Sequence, residues 1–118
     1  MEIYTDLQVE KFTRSLQRQA GTKIVRTIEL LETFGHNLTM PHSKKVAKNL
    51  FELRIKGQQE IRIFFTFYDN AAHLLHCYVK KQQKIPEKEL EQALRKLGLC
   101  HGKSIMSSLR QFKNVTLG

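Results

Sequence analysis

The sequence predicts an α+β fold in which two N-terminal helices pack on a small twisted antiparallel sheet, with a third helix after the last strand. Three observations carry that expectation. Apolar residues recur at helical spacing up to Phe34, alternate with polar ones in three runs between Leu50 and Lys80, and return to helical spacing beyond Pro86. The 118 residues suit one domain, since domains cluster at roughly 100–150 residues and bury about two thirds of their unfolded surface. The folded domain is expected over residues 1–98, with a C-terminal tail over 99–118.

The opening Met1–Thr5 alternates briefly and suits a short strand. From about Asp6 to Gln19 the period changes: Val9, Phe12 and Leu16 share a helical face, and Gly21 interrupts the run. A second stripe of Ile24, Ile28 and Leu31, flanked by Val25 and Phe34, stops at Gly35, where glycine most easily takes a left-handed position. These two helices form an antiparallel pair. Residues Gly35 to Asn49 contain Pro41 and several turn formers and read as an ordered connection.

Three strands follow as an antiparallel meander: Leu50 to Lys56, Glu60 to Tyr68 after the turn Gly57-Gln58-Gln59, and His73 to Lys80 after the turn Asp69-Asn70. Pro86 suits the first turn of a helix, where its missing N–H has no helical partner. Leu90, Ala93, Leu94 and Leu97 form that helix's stripe. Glu87 and Glu89 sit at its positive end, Arg95 and Lys96 at its negative end, and Gly98 closes it. In the tail, Ile105, Leu109 and Phe112 have the spacing of a short amphipathic helix, weakened by Ser, Asn and Gly.

Composition narrows the function. With 41% hydrophobic and 26% charged residues, the chain is neither disordered nor a membrane protein. Its apolar runs fall far short of the ~20 residues of a spanning helix, and the first residues lack the pattern of an export signal, so the cytoplasm is the expected compartment and no membrane partner is expected. Cys77 and Cys100, with no further cysteine, form neither a disulfide framework nor a zinc knuckle and read as free thiols. The histidines lack ligand spacing, so no metal and no cofactor is expected. A net charge of +9 attracts polyanions such as nucleic acid, the ribosome or acidic protein segments.

Side chains on a strand alternate between faces, so parity sorts the meander. Phe51, Leu53 and Ile55 oppose Glu52, Arg54 and Lys56; Ile61, Ile63, Phe65 and Phe67 oppose Arg62, Phe64, Thr66 and Tyr68; His73, Leu75, Cys77 and Val79 oppose Leu74, His76, Tyr78 and Lys80. One face is expected under the helices. The other, expected to be open, gathers Arg54, Arg62, His76, Tyr78 and Lys80. That set fits a phosphodiester, because guanidinium groups bind phosphate oxygens through paired donors while Tyr, His and Lys stack on bases or move protons. Metal-free RNA cleavage asks for such groups: a base for the 2′-OH proton, an acid for the leaving 5′-oxygen, and cations for the phosphorane. From parity alone, a basic face kept for solubility is the commoner reading, and His76 on its own is more often a structural or cross-strand partner than a catalyst.

The stretch from Gly35 to Leu97 resembles the RelE/HigB superfamily of bacterial toxins, closest to its phage-derived HigB-like branch. Its markers are Pro41-His42, the strand Leu50-Phe51-Glu52-Leu53-Arg54, Arg62 in the next strand, and the run His76-Cys77-Tyr78-Val79-Lys80-Lys81-Gln82-Gln83-Lys84-Ile85-Pro86 before a helix with Glu89-Leu90-Glu91-Gln92-Ala93. The resemblance implies a RelE-like fold and a small basic toxin of a type II toxin–antitoxin system. Such a toxin is a ribosome-dependent, metal-independent mRNA endonuclease that inhibits translation, is silenced by a cognate antitoxin, often a helix-turn-helix protein, and meets DNA only through that complex.

Carried over by position, the resemblance implies that Arg54 and Arg62 bind and stabilise the phosphate, with Lys80 as a further catalytic candidate and His76 as a candidate for proton transfer. Tyr78, Lys56, Lys81 and Lys84 are RNA-binding candidates, and one of the lysines Lys80, Lys81 or Lys84 would supply charge beside the scissile group. The tail from Leu99 departs from the family pattern, leaving His101 and Lys103 as peripheral candidates. A non-catalytic RNA or ribosome binder, or a relative acting on another target such as gyrase, is the alternative.

Overall fold

A computed structural model describes residues 1–100 of the chain. The expected helix through Ile105, Leu109 and Phe112, and with it His101 and Lys103, lies outside the described residues. The order is β1 (Glu2–Thr5), α1 (Leu7–Ser15), α2 (Arg18–Phe34), a 3-10 turn (Gly35–Asn37), β2 (Ser43–Ala47), β3 (Leu50–Ile55), β4 (Glu60–Tyr68), β5 (Ala71–Lys80) and α3 (Glu87–Cys100). The α+β class is as expected.

Several boundaries differ from expectation, each for a local reason. Asp6 starts α1 by accepting a hydrogen bond from the Gln8 amide at 2.8 Å. The helix then breaks at Leu16 and Gln17, both extended, and not at Gly21, which lies inside α2. A glycine within a helix costs only about 1 kcal/mol relative to alanine, and the break lets Leu16 pack on the core. Gly35 does end α2 with φ of 53°, a conformation glycine adopts without the Cβ penalty. Gly98 lies within α3.

The sheet runs β1-β5-β4-β3-β2. It is mixed, not antiparallel: β1 pairs parallel with β5, Glu2 opposite Ala71 through Thr5 opposite Leu74. The connection Gly35 to Asn49 supplies a further strand, β2, antiparallel to β3. Asp69 and Asn70, with φ of 52° and 59°, join β4 to β5 in a two-residue turn. Positive φ at both central residues is what a type I′ hairpin needs, and Asp and Asn tolerate it.

One irregularity changes the parity reading. Phe64 pairs with His76, but Phe65 pairs with Leu74, so β5 carries Leu75 as an extra residue. A bulge reverses the alternation on the strand that contains it. Leu74 and Cys77 therefore face the helix-pair side, and Leu75 lies with Tyr78 on the opposite side. The expected grouping of His73 and Leu75 with Cys77 and Val79 is corrected by this residue.

Each sheet face has its own core. Val9, Ile24, Ile28 and Leu31 of α1 and α2 pack on Leu53, Ile55, Ile61, Ile63, Phe65 and Leu74. On the opposite face α3 covers Leu50, Phe64, Leu75 and Tyr78 with Ala93 and Cys100. Burying each large apolar side chain contributes about 1.5–3 kcal/mol. Lys96, itself buried, ties α3 to the start of α1 through Asp6 at 3.2 Å.

Candidate functional site

Strand register assembles the polar groups on the α3 face. Arg54 of β3 stands opposite Arg62 of β4, which stands opposite Tyr78 of β5. One row along the strands, Glu60 faces Lys80; one row the other way, Glu52 faces Phe64 and Phe64 faces His76. Because α3 covers the His76 end, the expected open face is open only at its Lys80 end. There Arg54, Lys56, Glu60, Arg62, Lys80, Lys81, Gln82 and Gln83 enclose a cavity of about 450 Å³.

The two arginines point to the same side but differ in their surroundings. Arg62 is 1% exposed and is held by two carboxylates, Glu60 Oε2 at 3.2 Å from Nη2 and Glu52 Oε1 at 3.4 Å from Nε. Glu52 is itself buried. The same Oε1 lies 3.9 Å from Arg54 Nε, while Arg54 Nη1 rests on the Met40 sulfur at 3.4 Å. Arg54 is partly exposed, and Lys56 and Lys81 are exposed. The cavity thus offers cations at its rim and a carboxylate-neutralised guanidinium at its base, and its net charge is positive.

Tyr78 is buried beneath this cluster. Burial first, and the Glu52 carboxylate second, push its phenol up to about 12, so it is a neutral group at physiological pH. Its hydroxyl and Glu52 Oε2 are both buried without a hydrogen bond of ordinary geometry. His76 is drawn away from the cavity: its Nε2 pairs with Glu89 Oε1 of α3 at 2.9 Å, and its ring lies over Phe64. Lys84 is exposed on the connection to α3 and does not line the cavity. Of the sequence candidates, then, Arg54, Arg62, Lys56, Lys80 and Lys81 come together, and His76, Tyr78 and Lys84 do not join them at the cavity wall.

Sequence reasoning missed Glu52 and Glu60 as parts of the site. Their parity with Arg54 and Arg62 was the available signal, since neighbouring strands place such residues beside each other on one face. The thiols play no part in the cavity: burial pushes Cys77 up to about 12 and Cys100 up to about 11. Among the described residues no group of three or more His, Cys, Asp or Glu could hold a metal ion, and no helix is long and apolar enough to cross a membrane.

A single α+β domain with a cationic pocket on its sheet defines a class of small basic proteins. Residues 11–98 match the family described as phage derived protein Gp49-like (DUF891). The chain belongs to this Gp49-like family, a family of toxins associated with toxin–antitoxin systems, and membership implies a cognate antitoxin. No curated protein matches the chain.

Proposed function

We propose that the chain is a ribosome-dependent mRNA endonuclease, the toxin of a type II pair, and that it cuts RNA at the cavity between Arg54 and Lys80. The observation that carries this reading is the convergence of five cationic side chains on one concave site of about 450 Å³. In the reaction the 2′-oxygen bonds to the adjacent phosphorus and the bond from phosphorus to the 5′-oxygen breaks. The products are a 2′,3′-cyclic phosphate and a 5′-hydroxyl. Arg54, Lys80 and Lys81 bear on the growing phosphorane charge. Glu60, whose side chain is 46% exposed, is the proton acceptor that the cavity wall offers, and a lysine ammonium is its proton donor. Arg62 acts through Glu60, holding that carboxylate in place.

Proton transfer by His76 is not part of this scheme, because Glu89 holds its ring against α3. The carboxylates around Arg62 favour one other reading, a non-catalytic binder that blocks the ribosome. Brief expression without the antitoxin, followed by mapping of mRNA ends, separates the two. New 5′-hydroxyl ends within coding sequences, lost in Lys80→Ala, support cleavage; arrested translation with intact messages supports binding alone. The antitoxin, expected to carry a helix-turn-helix domain and to link the complex to DNA, would meet the basic face with acidic segments, so the complex should weaken as salt rises.

A further inference from the structure

A second concavity adjoins the first. It is about 350 Å³, lies between α2 and the end of β3, and is lined by Lys23 and Arg26 of α2 together with Arg54 and Lys56, the same two residues that wall the first cavity. No carboxylate lines it; its floor is apolar, made by Leu30, Pro41 and Ile55. Neither Lys23, Arg26 nor Lys56 has a carboxylate within ion-pair distance among the described residues. Lys23 reaches from the helix to the β3–β4 turn, where a Cβ added to Gly57 would lie 2.9 Å from its Nζ. The pairing of β2 with β3 begins at Ser43 opposite Leu53 and is extended by the Arg54 amide, which donates to the His42 carbonyl at 2.8 Å; the two concavities meet at Arg54 and Lys56, which line both.

We propose that this groove is a second phosphate subsite, which carries single-stranded RNA onward from the first cavity around the end of β3. The inference rests on the reading of the first cavity as an RNA site and names where the strand continues. Cations at the rim and an apolar floor suit a polymer that alternates phosphate with ribose and base, because phosphates take the rim while the flat, weakly polar units cover the floor. An acidic peptide would satisfy the cations and leave the floor exposed.

The test is fluorescence anisotropy on the full chain at low ionic strength, with a three-nucleotide and a twelve-nucleotide single-stranded RNA. The variant Lys23→Gln with Arg26→Gln changes two exposed helix positions, and its urea midpoint checks folding. Expected is a loss of about tenfold in affinity for the long RNA, with the log–log salt slope reduced by about 1.4, the value for two single-strand phosphate contacts. The short RNA should lose nothing. Lys80→Gln with Lys81→Gln should weaken both. RNA binding that needs Lys80 and Lys81 but ignores Lys23 and Arg26 overturns the second subsite alone. Polyglutamate that competes as well as RNA for the α2 groove also overturns it. No RNA binding by the unaltered chain overturns the second subsite, whereas the first reading stands or falls separately on the mapping of mRNA ends in the presence of ribosomes.

Discussion

Arg62 is neutralised before any substrate arrives, and that decides which substitutions can report on function. Removing one partner of a buried pair leaves the other charge stranded, at a cost of about 3–5 kcal/mol. Arg62→Ala, which leaves buried Glu52 with only the more distant Arg54 at 3.9 Å, should lose about that much in urea denaturation and lose activity for want of a fold. Lys80 is partly exposed and makes no ion pair among the described residues. Lys80→Ala should therefore change stability by less than about 0.5 kcal/mol, so a fall in toxicity there reports on chemistry or binding. Tyr78 gives a second contrast. Its hydroxyl lies against the buried Glu52 carboxylate, whose charge and hydrogen bond help to hold the phenol neutral, in a geometry short of an ordinary hydrogen bond. Tyr78→Phe should therefore cost no more than about 1 kcal/mol in urea denaturation and leave cleavage intact; loss of cleavage with the fold kept would place the phenol in the chemistry.

At the level of elements, Asp6 serves two structures at once. It caps α1 and pairs with Lys96 of α3. Asp6→Asn keeps a capping oxygen and removes the charge, whereas Asp6→Ala removes both, so the alanine variant should be less stable than the asparagine one by about 1 kcal/mol; thermal or urea unfolding of the two reads the difference. The same elements divide by how legible they were. β4 follows its alternation from Glu60 to Tyr68, and α3 starts after Pro86 as expected, because there the local pattern and the tertiary packing agree. The expected stripe of α3 is corrected at Leu94, which is exposed, because the helix is turned to bury Ala93, Lys96 and Cys100, with Lys96 drawn in by Asp6. The parallel pairing of β1 was not legible, since the partner of an edge strand is set by the path of α1 and α2. Nor was β2, whose Ser43–Ala47 is short and lysine-bearing, as edge strands commonly are. The bulge at Leu75 left no mark in a strand apolar on both faces, and it alone misplaced His73 and Leu75. Within the site, the meeting of Arg54, Arg62 and Lys80 was legible from parity, while the capture of His76 by Glu89 depends on how α3 lies across the sheet.

For the whole molecule, three acids, Tyr78 and Cys100 buried and Cys77 partly buried, set an alkaline limit. Cys77, Cys100 and Tyr78 all have folded values above those of the unfolded chain. A raised pKa means that the folded state keeps its proton longer, so stability holds below the unfolded values and falls as pH rises through the window from about 9 to about 12. Urea midpoints measured across that range should decline steadily, and Cys77→Ala should flatten the early part of the decline. The net charge of +9 and the basic cavity work at the same scale, drawing the chain toward a polyanion. The most direct measurement is transcript-wide mapping of 5′-hydroxyl RNA ends minutes after induction of the unaltered chain, beside Lys80→Ala at equal abundance. The account predicts new ends within translated messages for the first and none for the second; equal cleavage by both, or intact messages with both, would contradict it.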